Sequence, residues 1–194
     1  MIQIDDKLIN RCHEIAEKLG WHKEEHSNEY YVMLIIADLS EAAKASIDNK
    51  YASKLNNSKK DQGDSFNIRY NILIEQTVEY KLATVIIRCL DLAALESIDV
   101  SSWTDKMIPY SEINNNGKIT TFAEFAFNII SAFYESNYSI EECLFCFVIS
   151  ILSYLKEYDL DIFPYLDRNI AEELDAISYK LKCEKDALKF LKND

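Results

Sequence analysis

Apolar residues return every three or four positions through most of this chain, the spacing of a helix that buries one face. Leu8, Ile9, Cys12, Ile15, Ala16 and Leu19 share one stripe and predict a first helix over about 6–18, ended by Gly20. Ser27 or Asn28 can cap a second over about 29–47, with Val32, Leu34, Ile35, Ile36, Leu39, Ala42 and Ala43 on its apolar face. Ile72, Ile74, Val78, Leu82, Ile86 and Leu90 predict a long third helix over about 70–96. Further helices are expected over about 121–136 and 140–158, with a closing one over about 169–191. The expected fold class is all-α, a helical bundle of about five main helices.

Between these blocks the pattern lapses. Residues 49–69 are polar around KLNNSKKDQGDSF and read as a mobile connection holding one short helix near 51–54. Residues 55–67 fit either a lid over a ligand or disorder without function. A second hydrophilic bridge, SWTDKMIPYSEINNNGK, separates a half over 1–104 from a half over 118–194. With Glu79 set over Glu141, an offset of 62, EYKLATVIIRCLDLAALESID lies on EECLFCFVISILSYLKEYDLD with Glu, Leu and the final Asp in common. Either two hydrophobic helices align by chance, or the C-terminal half is a worn copy of a helix pair packed in the same bundle.

Composition narrows the reading. The chain has 194 residues, 3 Gly and 2 Pro, enough length for one shared core and little to punctuate its helices. The 21 Lys and Arg against 33 Asp and Glu leave a net charge of −12, which opposes any extended contact with a nucleic-acid backbone. A small phosphorylated ligand is still compatible, since a divalent cation reverses the local sign of an acidic cleft. Five cysteines at 12, 89, 143, 146 and 183, four of them in apolar helical stretches, read as reduced core residues. The amphipathic, charged start and the lack of an apolar run of about 20 residues predict no secretion signal, no membrane partner and a cytoplasmic location.

The chemistry centres on LIIADLSEAAKA, residues 34–45. Asp38 and Glu41 lie three apart on an otherwise apolar helix, about 60° around the axis from one another, so both carboxylates look the same way. Two such acids suit a shared cation. With LGW at 19–21, QTVEYKLATVIIRCLDLA at 76–93 and Ile98-Asp99, this string resembles the all-α nucleoside triphosphate pyrophosphohydrolases, the MazG-like and dimeric dUTPase group. The resemblance spans about residues 19–100. It implies a MazG-like fold, Mg2+ as cofactor, a nucleoside triphosphate or related small phosphorylated ligand, and hydrolysis to monophosphate and pyrophosphate.

In that family a Glu-x-x-Glu on one helix and a Glu-x-x-Asp on the next hold the magnesium. Asp38 and Glu41 match the first pair and are the catalytic and metal candidates. Lys81 and Thr84 fall on the second pair, where an ammonium repels a cation and can itself pair with Asp38 or Glu41. Two functions follow: a pyrophosphohydrolase whose activity is weakened or lost, or a catalytically inactive nucleotide-binding or regulatory protein on the same scaffold. Asp91, two turns beyond Thr84, is a candidate distant metal carboxylate, and Arg88 a candidate phosphate contact, against interhelical ion pairs for both.

Trp21 is a candidate stacking face for a base, or an anchor for the first loop. His22 and His26 stand at i, i+4 yet show no third ligand, and read as solvated; His13 reads as surface. Cys143 and Cys146 form a C-x-x-C among apolar neighbours and read as core. Gly63 belongs to no phosphate-binding loop, and the chain carries no Walker or dinucleotide signature. In the C-terminal copy Cys146 and Ser153 replace Thr84 and Asp91, so that half reads as packing, supplying what single-repeat relatives take from a partner; a homodimer is compatible with this arrangement.

Overall fold

The computed structural model describes residues 4–57, 73–103, 121–135, 138–162 and 164–166. It is an all-α bundle, with no strand among the described residues. Among the described residues there are five long helices, α1 (Asp6–Leu19), α2 (Asn28–Ile47), α4 (Val78–Leu95), α5 (Phe122–Glu135) and α6 (Ile140–Glu157), and the short α3 (Ala52–Asn57). Of the expected lid or loop over 55–67, residues 58–67 lie outside the described residues, as does the expected closing helix over 169–191.

α4 is the axis of the bundle. It packs against α1 and α2 and also touches α6, while α2 reaches α5 on its other side, so both halves share one core. Its buried positions, Val78, Leu82, Val85, Ile86, Cys89, Leu90 and Ala93 among them, fall on nearly every face. A helix apolar all round is surrounded by protein, whereas α1 buries only the stripe of Cys12, Ile15 and Ala16.

The third helix is shorter than expected. Thr77 is extended at φ −87° and ψ 157°, and its hydroxyl accepts the Tyr80 N–H, so α4 starts at Val78 rather than near residue 70. The apolar spacing of Ile74 with Val78 carries on across that break, which hides it from periodicity; both side chains are fully buried.

α4 and α6 match in more than length. Both have 18 residues, their ends stand 62 positions apart, and each is capped by a hydroxyl, Thr77 or Ser139. Each ends on a left-handed residue, Ser97 (φ 56°) or Asp159 (φ 50°). The Ile98 N–H then returns to the Ala93 carbonyl at 2.8 Å and the Leu160 N–H to the Leu155 carbonyl at 2.9 Å. Further on, Trp103 bonds back to Val100 and Tyr165 to Ile162, each at 3.0 Å, in the same offset. The correspondence thus runs from the caps to the buried turn beyond each helix.

α1 ends by the same device with a glycine. Gly20 has φ 76°, the Trp21 N–H reaches the Ala16 carbonyl at 2.9 Å, and the chain folds back over the last turn of α1. That reversal carries Trp21 and His22 toward α4.

Candidate functional site

α2 and α4 run antiparallel: one turn up α2, from Asp38 to Glu41, answers two turns down α4, from Arg88 to Lys81. Asp38 accepts a hydrogen bond from Arg88 Nε, and Glu41 pairs with the Lys81 ammonium. Lys81 meets Glu41, one of the two acids set against it, whereas Asp38 meets Arg88, offered from the sequence as a phosphate contact or an interhelical ion pair; each carboxylate is matched by a cation. Thr84, between those cations, donates its hydroxyl to the Tyr80 carbonyl of its own helix at 3.3 Å.

The two pairs differ in surroundings. Glu41 is 57% exposed, so its pair with Lys81 is a solvated contact of small worth. Asp38 is 17% exposed and Arg88 23%. Burial raises the Asp38 carboxyl above its ordinary value, an effect that the Arg88 charge and hydrogen bond oppose and Glu41 reinforces. Without Arg88 this carboxylate would face the apolar seam uncompensated. Arg88 is also fixed from outside, its guanidinium carbon 4.3 Å from the centre of the Trp21 ring.

Beside Arg88 opens a cleft of about 180 Å³, bounded by Trp21, Tyr30, Tyr31, Leu34, Arg88 and Asp91. Trp21 is therefore both an anchor and an aromatic wall. A larger cavity of about 400 Å³ lies elsewhere, among Tyr51, Phe122, Tyr154 and Tyr158, and no charged residue among the described ones lines it. Only the first joins aromatic faces to charge, the mixture that orients a polar aromatic ligand.

Asp91 does not join Asp38 and Glu41. It is 3% exposed, and its Oδ1 lies 3.0 Å from His13 Nδ1 and 3.0 Å from His22 Nε2. His13, expected at the surface, is half-buried at the α1–α4 contact. His22 and His26 share no ligand: His26 stacks on Tyr30 at 4.0 Å between ring centres, while His22 turns inward toward Asp91. The Gly20 reversal is what brings residues 13 and 22 side by side, their rings 5.5 Å apart. The sequence did hold a signal: an acid in the middle of a helix apolar on every side needs a partner, and Asp91 is such an acid.

The cysteines offer no nucleophile among the described residues. Burial pushes the Cys12 and Cys143 thiols up to about 12, and raises Cys89 and Cys146 as well. All four are free thiols; Cys12, Cys89 and Cys143 are buried as the core reading expected, while Cys146 is partly exposed. No helix among the described residues is long and apolar enough to cross a membrane.

No protein-family model matches this chain, and neither a curated protein nor a solved structure matches it. The MazG-like resemblance therefore rests on the motif residues themselves.

Proposed function

We propose that this chain is a binding or regulatory protein on a MazG-like helical scaffold, its ligand a nucleotide or related small phosphorylated molecule, and that it has lost the magnesium chemistry of that scaffold. The observation that carries this reading is the double ion pair: Asp38 meets Arg88 and Glu41 meets Lys81. Magnesium demands six oxygens in tight octahedral array, mostly carboxylate and water, and sheds its water reluctantly. A seam in which both carboxylates already hold cations and the facing helix offers an ammonium and a hydroxyl supplies too few ligands. Side-chain charge takes the metal's place, and the water-activating ion is lost.

Binding does not need that ion. Trp21, Tyr30 and Tyr31 present ring faces to the cleft, and Arg88 brings a guanidinium to its wall. At about 180 Å³ the cleft is smaller than the roughly 300–1,000 Å³ of pockets that engulf a drug-sized ligand. It has room for one ring system, leaving phosphates outside against Arg88.

The test is pyrophosphate release from a panel of nucleoside triphosphates with and without magnesium, beside magnesium titration of the native chain and of Lys81→Glu/Thr84→Asp. The native chain is expected to turn nothing over and to bind magnesium poorly, while the double variant gains the ion. Magnesium-dependent turnover by the native chain, abolished by Glu41→Ala, overturns the proposal. Thermal shift with the same panel reads binding directly, a ligand at a hundred times its Kd adding about 2.7 kcal/mol.

A further inference from the structure

The geometry points to a second site, at the edge of the same cleft: we propose that His13, His22 and Asp91 bind one divalent transition-metal ion of the zinc class, with a coordination position open to an exchangeable ligand. This goes beyond the reading of Asp38 and Glu41 and does not depend on it.

Three metal-binding side chains arrive from three parts of the chain. His13 comes from α1, His22 from the turn after Gly20 and Asp91 from α4. One donor atom from each lies within 4.8 Å of the other two. A tetrahedral ion with bonds of about 2.0–2.1 Å sets its donors about 3.3 Å apart. Two edges of the triangle, His13 Nδ1 to Asp91 Oδ1 and His22 Nε2 to Asp91 Oδ1, already measure 3.0 Å. The third closes by rotation of the His13 ring, whose side chain is 30% exposed.

The atoms behind the donors are also suited to the task. A metal-bound imidazole usually gives its other N–H to a carboxylate, hydroxyl or carbonyl, which fixes tautomer and ring orientation. His13 Nε2 faces the Glu17 carboxylate at 3.9 Å, and His22 Nδ1 faces the Tyr31 hydroxyl at 3.4 Å. With an ion bound, each neutral ring would carry its single proton on that outer nitrogen, leaving the inner lone pair for the metal in place of the hydrogen bond to Asp91.

Charge favours occupancy. Asp91 is a buried carboxylate whose two described partners are imidazoles, while Arg88, one turn away, is held by Asp38. A divalent cation supplies the opposite charge that burial calls for. Two imidazoles and one carboxylate suit zinc, cobalt or ferrous iron rather than magnesium or calcium, which prefer all-oxygen shells. Asp91 also borders the aromatic cleft of Trp21, Tyr30 and Tyr31. Three protein ligands beside an open cleft is the arrangement of sites that exchange a water or substrate, not of closed structural ones.

Cobalt is the probe, because its visible bands report both binding and low coordination number. Chelator-stripped, reduced protein is expected to take up one equivalent with the absorption of a four- or five-coordinate ion. His13→Gln and His22→Gln, each at a partly exposed position, should keep native circular dichroism and lose at least about tenfold in affinity by competition with a chromophoric chelator, the scale on which even outer-shell partners matter. Glu17→Gln should weaken binding less. Failure of the native chain to bind cobalt, or affinity unchanged in both histidine variants, overturns the proposal and leaves the trio as a hydrogen-bonded cluster that satisfies Asp91.

Discussion

α4 and α6 share length, caps and closing turns at one offset, and their differences separate what the fold needs from what the site needs. Leu82 and Leu144, 62 positions apart, are both fully buried, and so are Ile86 and Val148. At the four positions where α4 carries Lys81, Thr84, Arg88 and Asp91, α6 carries Cys143, Cys146, Ser150 and Ser153. Packing is kept in both, while at these four positions charge is found only in α4, the helix that packs on α1 and α2. Three charges set into a helix with so few exposed positions cost desolvation that the small side chains of α6 avoid. They are retained where each meets a partner: Glu41, Asp38, or the two imidazoles.

The first way to break the comparison is to attack what the helices share. Leu82→Ala and Leu144→Ala each delete a side chain with no exposure from the common core, and each should destabilise the chain by about 2–5 kcal/mol in urea unfolding. Equal losses mean two equivalent pillars of one bundle. A loss confined to Leu82 would show that α6 contributes little and that the two halves unfold separately.

The next contrast concerns what they do not share. Arg88→Ala leaves Asp38 without its cation and should cost about 1–3 kcal/mol, below the roughly 3–5 of a fully buried pair because the side chains keep 23% and 17% exposure. Ser150→Ala, the matching change in α6, removes a buried hydroxyl but strands no charge and should cost about 1 kcal/mol or less. A double-mutant cycle with Asp38→Ala isolates the pair itself, and coupling near zero would deny Arg88 its compensating role. Smaller again is Lys81→Met, which removes the solvated partner of Glu41: about 0.2–1 kcal/mol at low salt, fading as ionic strength rises.

The sequence revealed the bundle because helix periodicity is a local property and nearly every helix here has a clear apolar face. It also set Asp38 and Glu41 against Lys81, because the resemblance laid Lys81 on the second acidic pair of the MazG-like pattern. The start of α4 was missed because the apolar spacing runs through the Thr77 cap without a break. The His13–His22–Asp91 cluster was missed for a different reason. It depends on a chain reversal at Gly20 and on α1 crossing α4, and neither crossing nor reversal leaves a periodic trace. His13 stands next to buried Cys12, at the edge of the α1 stripe, where period alone does not decide between solvent and a neighbour.

The subtlest contrast is at the first turn of the two helices, where Glu79 and Glu141 occupy matching positions. Glu141 is exposed, whereas Glu79 is 2% exposed and accepts the Ala52 N–H at 2.9 Å, tying α3 to α4. Burial raises the Glu79 carboxyl above its ordinary value of 4.5, and the backbone N–H groups it accepts only partly offset that. The folded chain therefore holds this proton more tightly than the unfolded one does. The resulting stabilisation is complete below the unfolded value and is lost as pH rises through the folded one. Glu79→Gln keeps an oxygen for the Ala52 N–H and has no charge to bury, so it should gain on the native chain between pH 4 and pH 7. Urea midpoints of the two proteins across that window measure it. A gap that moves the other way would mean that the ionised carboxylate, held by the backbone of α3, is the form that the fold prefers.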